Sequence, residues 1–291
     1  MQCAWCSTPE SQRSEPEIGF DLSKCVRCGE CVHTCPSGAL TFDKTPSVRR
    51  DLCDGCFACA DTCRKRAIKK YGKTLNVKEI VREVSKDEVF YFHSGGGVTL
   101  SGGEPCAQTD FAAELLCELK KHGIHTSAET ALCVPWENVE ALLPYLGCVL
   151  ADLKHMNSEQ HRTWTGTDNS LVLNNIRRLD LSDVPFSLII RIPLIPGIND
   201  DDENLKAVAA LARELPKKLQ GIELLPYHRL GLNTYRMLGK PYRLESTTIS
   251  SREHVEERAV FLRSCDPGVP VLAGNTQITD PESHNKKGDC L

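Results

Sequence analysis

Two runs of cysteines, each with the spacing CxxCxxCxxxC, constrain the fold of this 291-residue chain more than any other feature. The first run comprises Cys25, Cys28, Cys31 and Cys35, and the second comprises Cys53, Cys56, Cys59 and Cys63. This spacing is typical of two cubane [4Fe–4S] clusters, because three cysteines of a run bind one cluster while the fourth binds the other. We therefore predict a first cluster on Cys25, Cys28, Cys31 and Cys63, and a second on Cys53, Cys56, Cys59 and Cys35.

Structural zinc is the alternative occupant of four cysteines, although zinc sites usually join two CxxC pairs across a longer spacer. Charge agrees with clusters, because residues 24–73 carry 11 Lys and Arg against 5 Asp and Glu, whereas the whole chain has a formal net charge of -4. Cations stabilise the negative charge of a thiolate-bound cluster. The same basic residues also suit a solvated face or contact with an acidic partner. They form too short a stretch to indicate a nucleic-acid surface.

Length and composition favour two domains, one small around the cysteines and one large. No apolar run approaches the roughly 18 residues of a membrane span, and residues 1–6 lack the pattern of a secretory signal. We therefore predict a cytoplasmic protein without a membrane partner. In that compartment its 16 cysteines are expected to be metal ligands and free thiols rather than disulfides.

Downstream of the cysteine runs, apolar stretches alternate with amphipathic ones. The predicted strands are 98–101, 124–129, 149–154, 187–194, 222–227 and 269–273. The predicted helices are 110–122, 136–146, 171–181, 203–215 and 253–264. Such alternation indicates an α/β protein with a parallel sheet or barrel, whose chemistry lies at the carboxyl ends of the strands. Residues 275–291 are polar, and we expect a frayed tail there.

Polar residues follow four of these predicted strands. Gly102, Gly103 and Glu104 come after the first, Glu129 ends the second, Lys154 ends the third, and His228 follows the fifth. Paired glycines let a ligand approach the backbone, and a carboxylate accepts hydrogen bonds from an ammonium group. Each motif alone is common in turns and surface pairs. Their recurrence at successive strand ends predicts one ligand site.

The motifs taken together resemble those of the activating enzymes of glycyl radical enzymes, in the radical S-adenosylmethionine (SAM) superfamily. The resemblance covers the chain from Cys3 to about Ala273. It is carried by the two cysteine runs and by the motifs Gly102-Gly103-Glu104-Pro105, Ala151-Asp152-Leu153-Lys154-His155-Met156, Arg191-Ile192-Pro193 and Leu224-Leu225-Pro226-Tyr227-His228.

The resemblance implies an incomplete (β/α)6 barrel with an inserted ferredoxin-like domain that holds two [4Fe–4S] clusters. The chain would then divide into a remnant of the radical SAM cysteine loop (1–20), the insert (21–75), the partial barrel (76–274) and the tail (275–291). A third [4Fe–4S] cluster would bind SAM and cleave it after one-electron reduction. The resulting 5′-deoxyadenosyl radical would take a hydrogen atom from a glycine of a partner glycyl radical enzyme.

The same resemblance assigns the site residues. Gly102, Gly103 and Glu104 would bind the methionine amino group, with Glu129 and Lys154 as further polar contacts. Arg191 and His228 would lie near the carboxylate, ribose or adenine. SAM carries an ammonium, a carboxylate and a sulfonium, so its pocket needs an anionic acceptor, a cationic donor and accessible backbone. A flavodoxin or ferredoxin is the expected electron donor, with the inserted clusters as a relay.

Cys3, Trp5 and Cys6 match the end of the CxxxCxxC loop of this family, so Cys3 and Cys6 join Lys154 as predicted catalytic residues. The first cysteine of that loop would lie four residues before Cys3. We therefore expect a truncated copy of a longer protein. The alternatives are an inactive paralogue, an iron–sulfur electron-transfer protein without SAM chemistry, and a pair of plain thiols at Cys3 and Cys6. No motif in the sequence identifies the target enzyme.

Overall fold

The computed structural model describes residues 1–274, so the predicted tail lies outside the described residues. The helices are α1 (Glu30–Thr34), α2 (Ala58–Thr62), α3 (Val77–Val84), α4 (Glu88–Ser94), α5 (Thr109–Lys121), α6 (Trp136–Glu140), α7 (Ser158–Thr165), α8 (Ser170–Leu181), α9 (Asp202–Arg213), α10 (Leu232–Leu238) and α11 (Arg252–Ser264). The strands are β1 (Glu17–Phe20), β2 (Leu40–Phe42), β3 (Pro46–Val48), β4 (Ile68–Tyr71), β5 (Gly97–Leu100), β6 (His125–Thr130), β7 (Cys148–Asp152), β8 (Ser187–Leu194), β9 (Leu219–Pro226) and β10 (Val271–Ala273).

The chain forms two compact units. The first comprises Met1–Glu79 and Arg229–Ser246, and the second comprises Ile80–His228 and the chain from Thr247 onward. The segment Arg229–Ser246, which contains α10, therefore packs with the cysteine-rich part of the chain although it lies far from it in sequence. Among the described helices, none combines the length and apolar character that a membrane crossing requires.

The first unit is built on two short antiparallel ribbons, β1 with β4 and β2 with β3. Its small core consists of Ile18, Phe20, Leu40, Cys59 and Ile68, with further cluster-motif cysteines packed at its edge. A core this small buries little apolar surface. The cysteines are thus part of what fills the interior of this unit.

A buried carboxylate connects the separate segments of the first unit. Glu17 on β1 is almost fully buried and pairs with Arg50 at 2.6 Å and with Lys240 at 3.0 Å. Arg50 also donates to the backbone oxygens of Ile18 and Leu238, and Lys240 donates to that of Pro9. These charge-assisted hydrogen bonds fix α10 and the chain before β1 onto the ribbon.

The second unit contains a six-stranded parallel sheet whose spatial order, β5 to β10, is the order of the strands in the chain. Helices lie between successive strands, as a parallel connection requires. In the central strands alternate residues are fully buried, as with Leu188, Ile190 and Ile192 of β8, and these pack in the main apolar core. The intervening residues form a half-buried face on the other side of the sheet, which we call the polar face although it includes apolar residues such as Ile189.

The predicted parallel sheet is confirmed, and the predicted strand 187–194 coincides with β8. The predicted helix 136–146 is too long: α6 ends at Glu140 and a short 3-10 helix covers Leu143–Tyr145. Pro144 explains the interruption, because proline lacks the N–H that an α-helix needs. The helices α1, α2, α3, α4, α7 and α10 were not predicted.

Candidate functional site

Four cysteines from both runs line one cavity in the first unit. Its volume is about 400 Å³, and its lining includes Cys25, Cys28 and Cys31 of the first run together with Cys63 of the second. The remaining wall includes the apolar side chains of Phe20, Phe42 and Ile68. Three ligands from one run and a fourth from the other are the donor set of a cubane cluster in a two-cluster domain.

Each predicted ligand set takes three cysteines from one run and one from the other, and is called a crossed set here. The second crossed set comprises Cys53, Cys56, Cys59 and Cys35, and Cys59 is its buried member. Burial raises the pKa of its thiol to about 11, and Cys35 and Cys53 add to the effect as neighbouring charges. Cys31 and Cys35 of the first run both pack against the small core that contains Cys59 of the second. All fifteen cysteines within residues 1–274 are free thiols. Cys53, Cys56, Cys59 and Cys35 therefore remain available as cluster ligands.

The backbone repeats between the two runs with a period of 28 residues. Three matched pairs of residues have left-handed backbone conformations: Arg27 and Gly55, Gly29 and Phe57, Gly38 and Arg66. Gly29 and Phe57 also occupy equivalent positions directly before α1 and α2. Alternation of left-handed and right-handed residues directs successive N–H groups into one concavity, which favours an anion. The left-handed conformations of Arg27, Phe57 and Arg66 therefore lie at positions that the two runs share, and we call this repeat the duplicated cradle.

The cysteines surround a space instead of converging on one point. Within residues 1–274, no three His, Cys, Asp or Glu side chains are placed to hold a single metal ion. A cubane needs ligands spread around a larger body, together with N–H donors for its negative charge. The cavity, the crossed cysteines and the duplicated cradle together fit two [4Fe–4S] clusters.

The predicted catalytic cysteines also belong to the first unit. Cys6 donates its backbone N–H to the carbonyl of Cys3 at 3.1 Å, and Trp5 between them is buried. Tyr235 of α10 donates its hydroxyl to the Cys3 carbonyl at 3.5 Å. A Cβ atom added to Gly231 would lie 2.6 Å from the Cys6 carbonyl, so only glycine fits there. The Cys3–Cys6 loop is thus fixed by residues around α10.

In the second unit, Arg191 is the centre of a charged network on the polar face of the sheet. Its guanidinium donates to Glu129 on β6 and its Nε lies 3.1 Å from Glu223 on β9, within ion-pair distance but without hydrogen-bond geometry. Ser101 donates to the same Glu129 carboxylate. Burial lowers the pKa of Arg191, but the charges of Glu129 and Glu223 outweigh it and the net pKa is raised. Arg191 therefore stays charged.

Lys154 lies just beyond β7 and is buried, with its ammonium 2.6 Å from Asp152. Its carbonyl accepts a hydrogen bond from the side chain of Asn199 at 2.8 Å, and Asn199 also donates to Pro193 and accepts from Ile195. Asn199 is completely buried. The end of β7 is thereby locked to the loop that follows β8, which limits the positions that Lys154 can take.

The glycine motif after β5 is held by its own carboxylate. Glu104 accepts hydrogen bonds from the hydroxyl of Thr130 at 2.7 Å, from the N–H of Ala131 at 2.9 Å and from the N–H of Cys106 at 3.2 Å. A carboxylate has about four acceptor positions, so one remains for an external donor. Gly102 has φ 108, a conformation that favours glycine, and no atom lies within 4 Å of the position of a Cβ.

The structure brings Glu129 and Arg191 into contact and places Lys154 close enough to affect the pKa of Glu129. His228 lies two residues beyond β9 and is exposed. Asp152 and Glu223 belong to the charged face but were missed as site residues. The signal that could have identified Glu223 is its position in β9, where it is the polar member of an apolar alternation.

Three carboxylates and two cations make up this charged face: Glu129, Asp152, Glu223, Lys154 and Arg191. The face therefore carries one net negative charge, and it offers both acceptors and donors. Such a surface complements a small ligand that bears an ammonium, a carboxylate and one net positive charge.

Comparison with known proteins gives two family matches. The radical SAM superfamily matches residues 44–208, and a 4Fe-4S dicluster domain matches residues 17–64. The second match ends directly after Cys63 and so includes both cysteine runs.

Among curated proteins, the isethionate sulfite-lyase activating enzyme of Nitratidesulfovibrio vulgaris is 37% identical over 272 residues, which are 91% of this chain and 88% of the relative. The (2S)-3-sulfopropanediol dehydratase activating enzyme of Klebsiella oxytoca is 37% identical over 271 residues, covering 90% and 85% of the two chains. Among solved structures, a domain of the pyruvate-formate lyase-activating enzyme from Bacteroides vulgatus is 33% identical, with a TM-score of 0.51, and covers 62% of this chain and 99% of that one.

Proposed function

This chain belongs to the radical SAM activating enzymes of glycyl radical enzymes, and we propose that it uses SAM to install a glycyl radical on a partner enzyme. The observation that carries the proposal is the charged face that spans β6 to β9, where Arg191 and Lys154 lie among three carboxylates. Its charge complements the methionine end and the net positive charge of SAM. The predicted cofactors, SAM and [4Fe–4S] clusters, are those of the two matched families.

In this proposal the protein's own residues bind and orient SAM. The remaining acceptor position of Glu104 receives the ammonium group, beside the turn formed by Gly102 and Gly103. Lys154 and Arg191 serve the carboxylate and hydroxyl groups of the ligand. Glu129 supports Arg191, and His228 is assigned to the ribose or adenine. The sheet forms part of an incomplete (β/α)6 barrel.

The reaction needs one electron for each SAM molecule. Cys3 and Cys6 would hold part of a [4Fe–4S] cluster, which would supply this electron for the cleavage of SAM to methionine and a 5′-deoxyadenosyl radical. That radical takes one hydrogen atom from a glycine of the partner, so the products are 5′-deoxyadenosine and a glycyl radical. A flavodoxin or ferredoxin is the proposed electron donor in a cytoplasmic setting, and the cysteines of the two runs would hold the two clusters through which its electron would reach the SAM site.

The relatives indicate which partner to test first. Proteins 37% identical over most of this chain activate isethionate sulfite-lyase and (2S)-3-sulfopropanediol dehydratase. We propose a glycyl radical enzyme of this class as the protein substrate.

The experiment is SAM cleavage by the anaerobically reconstituted protein with a chemical reductant. We expect 5′-deoxyadenosine and methionine in equal amounts, and at least a tenfold loss in Lys154→Met, because a buried charged contact to the ligand is removed. Lys121→Met is the matched control, since Lys121 is exposed on α5 and pairs only with a neighbouring glutamate. It should cleave SAM at the parent rate.

If Lys154→Met cleaves SAM at the parent rate, Lys154 does not contact the ligand. A parent protein that holds about eight irons, the content of two cubanes, and shows no response to SAM would instead favour electron transfer or an inactive paralogue.

A further inference from the structure

The cavity that contains Cys25, Cys28, Cys31 and Cys63 opens beside two exposed cations. Arg64 and Lys65 directly follow Cys63 and line the cavity. Within the described part of the chain, neither is paired with a carboxylate. Glu30 is an acidic residue of the lining, so the two cations leave the opening with a net positive charge.

Two apolar side chains are exposed, one in the cavity lining and one close to it in sequence. Val26, between two of the cluster cysteines, is 60% exposed, and Leu22 just before them is 52% exposed. Cys28 itself is exposed. An exposed apolar centre beside uncompensated charges is the usual composition of a docking site for a transient, oppositely charged partner. We define the entry surface by four residues: Arg64, Lys65, Val26 and Leu22.

The second crossed set has different surroundings. Asp51 and Asp54 flank Cys53, and Asp54 accepts a hydrogen bond from the backbone of Cys56. A Cβ atom added to Gly55 would lie 3.6 Å from the carbonyl of Pro16. Arg27, the equivalent residue of the first run, is exposed. Cys56 of this set is exposed, as Cys28 is, but the charged residues beside it are acidic, and Gly55 lies near Pro16, which directly precedes β1.

We propose that the entry surface docks an acidic one-electron carrier protein, and that the cluster on Cys25, Cys28, Cys31 and Cys63 receives its electron first. In this step the carrier loses one electron and the oxidised cluster gains it, with no proton transferred. The second cluster would receive the electron next, and the cluster held in part by Cys3 and Cys6 of the same unit would be its acceptor. The proposal rests on the proposed function, because it specifies where the electron for SAM cleavage enters.

Neutralisation of the anionic cluster is the competing role for Arg64 and Lys65. The two roles differ in their kinetic signature. Cations that only tune the cluster affect every reductant alike, whereas cations that dock a protein affect the reaction with that protein and make it sensitive to salt.

The test measures how fast the clusters are reduced in the loaded, SAM-free protein, by stopped-flow absorbance. The reductants are reduced flavodoxin, an acidic carrier, and photoreduced deazariboflavin, a small molecule. For the variant Arg64→Glu with Lys65→Glu we expect at least a tenfold slower reaction with flavodoxin at low salt, because electrostatic steering changes association rates by tenfold or more. The deazariboflavin rate should be unchanged, and the variant should lose the parent's decline with added salt.

The matched control is Lys217→Glu with Arg252→Glu, which changes net charge equally at exposed positions of the second unit. It should react with flavodoxin at nearly the parent rate. If charge reversal impairs cluster loading, Arg64→Gln with Lys65→Gln replaces it, with an expected threefold or greater loss.

A flavodoxin rate equal to the parent, or an equal loss with both reductants, would overturn the proposal. Neither result would affect the proposed function, because SAM cleavage with a chemical reductant does not use the docking surface.

Discussion

Arg191 shows how a single residue organises the charged face. It pairs with Glu129 on β6 and with Glu223 on the adjacent strand β9. Its positive charge therefore offsets the repulsion between these two carboxylates. A planar guanidinium can address two acceptors at once, and a lysine ammonium cannot do so with the same geometry.

Arg191→Lys is therefore expected to lower kcat/KM for SAM cleavage about tenfold, because the charge remains while the fork that spans both carboxylates is lost. The measurement is 5′-deoxyadenosine formation at varied SAM concentration. Arg177→Lys is the control, since Arg177 pairs with Glu214 in an exposed position. Equal kinetics of Arg191→Lys and the parent would show that the fork has no role.

His155 gives the second unit a dependence on pH. Its Nδ1 accepts a hydrogen bond from the N–H of Asn157 and its Nε2 lies 3.1 Å from the Ile198 carbonyl, which fixes a neutral ring with the proton on Nε2. Burial lowers the pKa of His155, and burial also lowers that of the neighbouring His161.

The pKa of His155 in the folded protein lies below its value of about 6.5 in the unfolded chain. As the pH falls, the unfolded chain therefore binds more protons than the folded protein. Stability is therefore fully present above about pH 6.5 and decreases below it. Thermal unfolding of the parent should show a lower midpoint at pH 5.5 than at pH 7.5. The decrease should be smaller in His155→Gln, whose amide can keep both hydrogen bonds. An equal decrease in both proteins would contradict this account of His155.

At the scale of elements, the buried asparagines connect the ends of adjacent strands. Asn199 holds the Lys154 and Pro193 carbonyls, and Asn204 accepts from Met156 and donates to the carbonyl of Asn199. Each buried backbone group that loses such a partner costs about 1–3 kcal/mol. The network thus both stabilises the loops and positions Lys154.

Asn199→Ala is expected to destabilise the protein by about 3 kcal/mol, since several buried backbone groups lose their partner together. It should also raise the KM for SAM through displacement of Lys154. Asn174→Ala, on α8, serves as a control for the loss of an asparagine side chain that is not completely buried. A variant that unfolds at a lower temperature but keeps the parent KM would separate stability from positioning and refute the second role.

The sheet was predictable because parallel strands bury alternate or continuous apolar residues, and β5 to β10 all lie within a few residues of their predicted positions. The helix α7 was not predicted because its sequence, Ser158–Thr165, has no apolar periodicity. The contact between Arg191 and Glu223 could not be predicted from the sequence either, because it depends on the register of β8 against β9. Asp152 and Lys154 are two residues apart in one motif, so their contact does not depend on the register between strands.

For the molecule as a whole, the sequence predicted the radical SAM family and the cluster domain, and both are confirmed. It could not predict that Arg229–Ser246 joins the first unit, since that depends on the buried pairing of Lys240 with Glu17. Nor could it predict the left-handed conformation of Phe57, which follows from the duplicated cradle and not from residue preference.

Removal of iron is expected to affect the two units differently. The core of the first unit includes cluster cysteines, so the free energy of metal binding contributes to its folding. After chelation, amide hydrogen exchange within Glu17–Tyr71 should accelerate at least tenfold, while the strands β6 to β9 stay protected. Equal protection of the first unit with and without iron would show that it folds independently of its clusters.

The central claim is that this protein generates a radical on a partner enzyme. The most direct measurement is electron paramagnetic resonance of a partner from the isethionate sulfite-lyase or sulfopropanediol dehydratase class, after incubation with the reduced, loaded protein and SAM. We predict a glycyl radical signal on the partner, which requires SAM and grows with the 5′-deoxyadenosine formed. Fully loaded and reduced clusters that yield neither the radical nor 5′-deoxyadenosine would contradict the account.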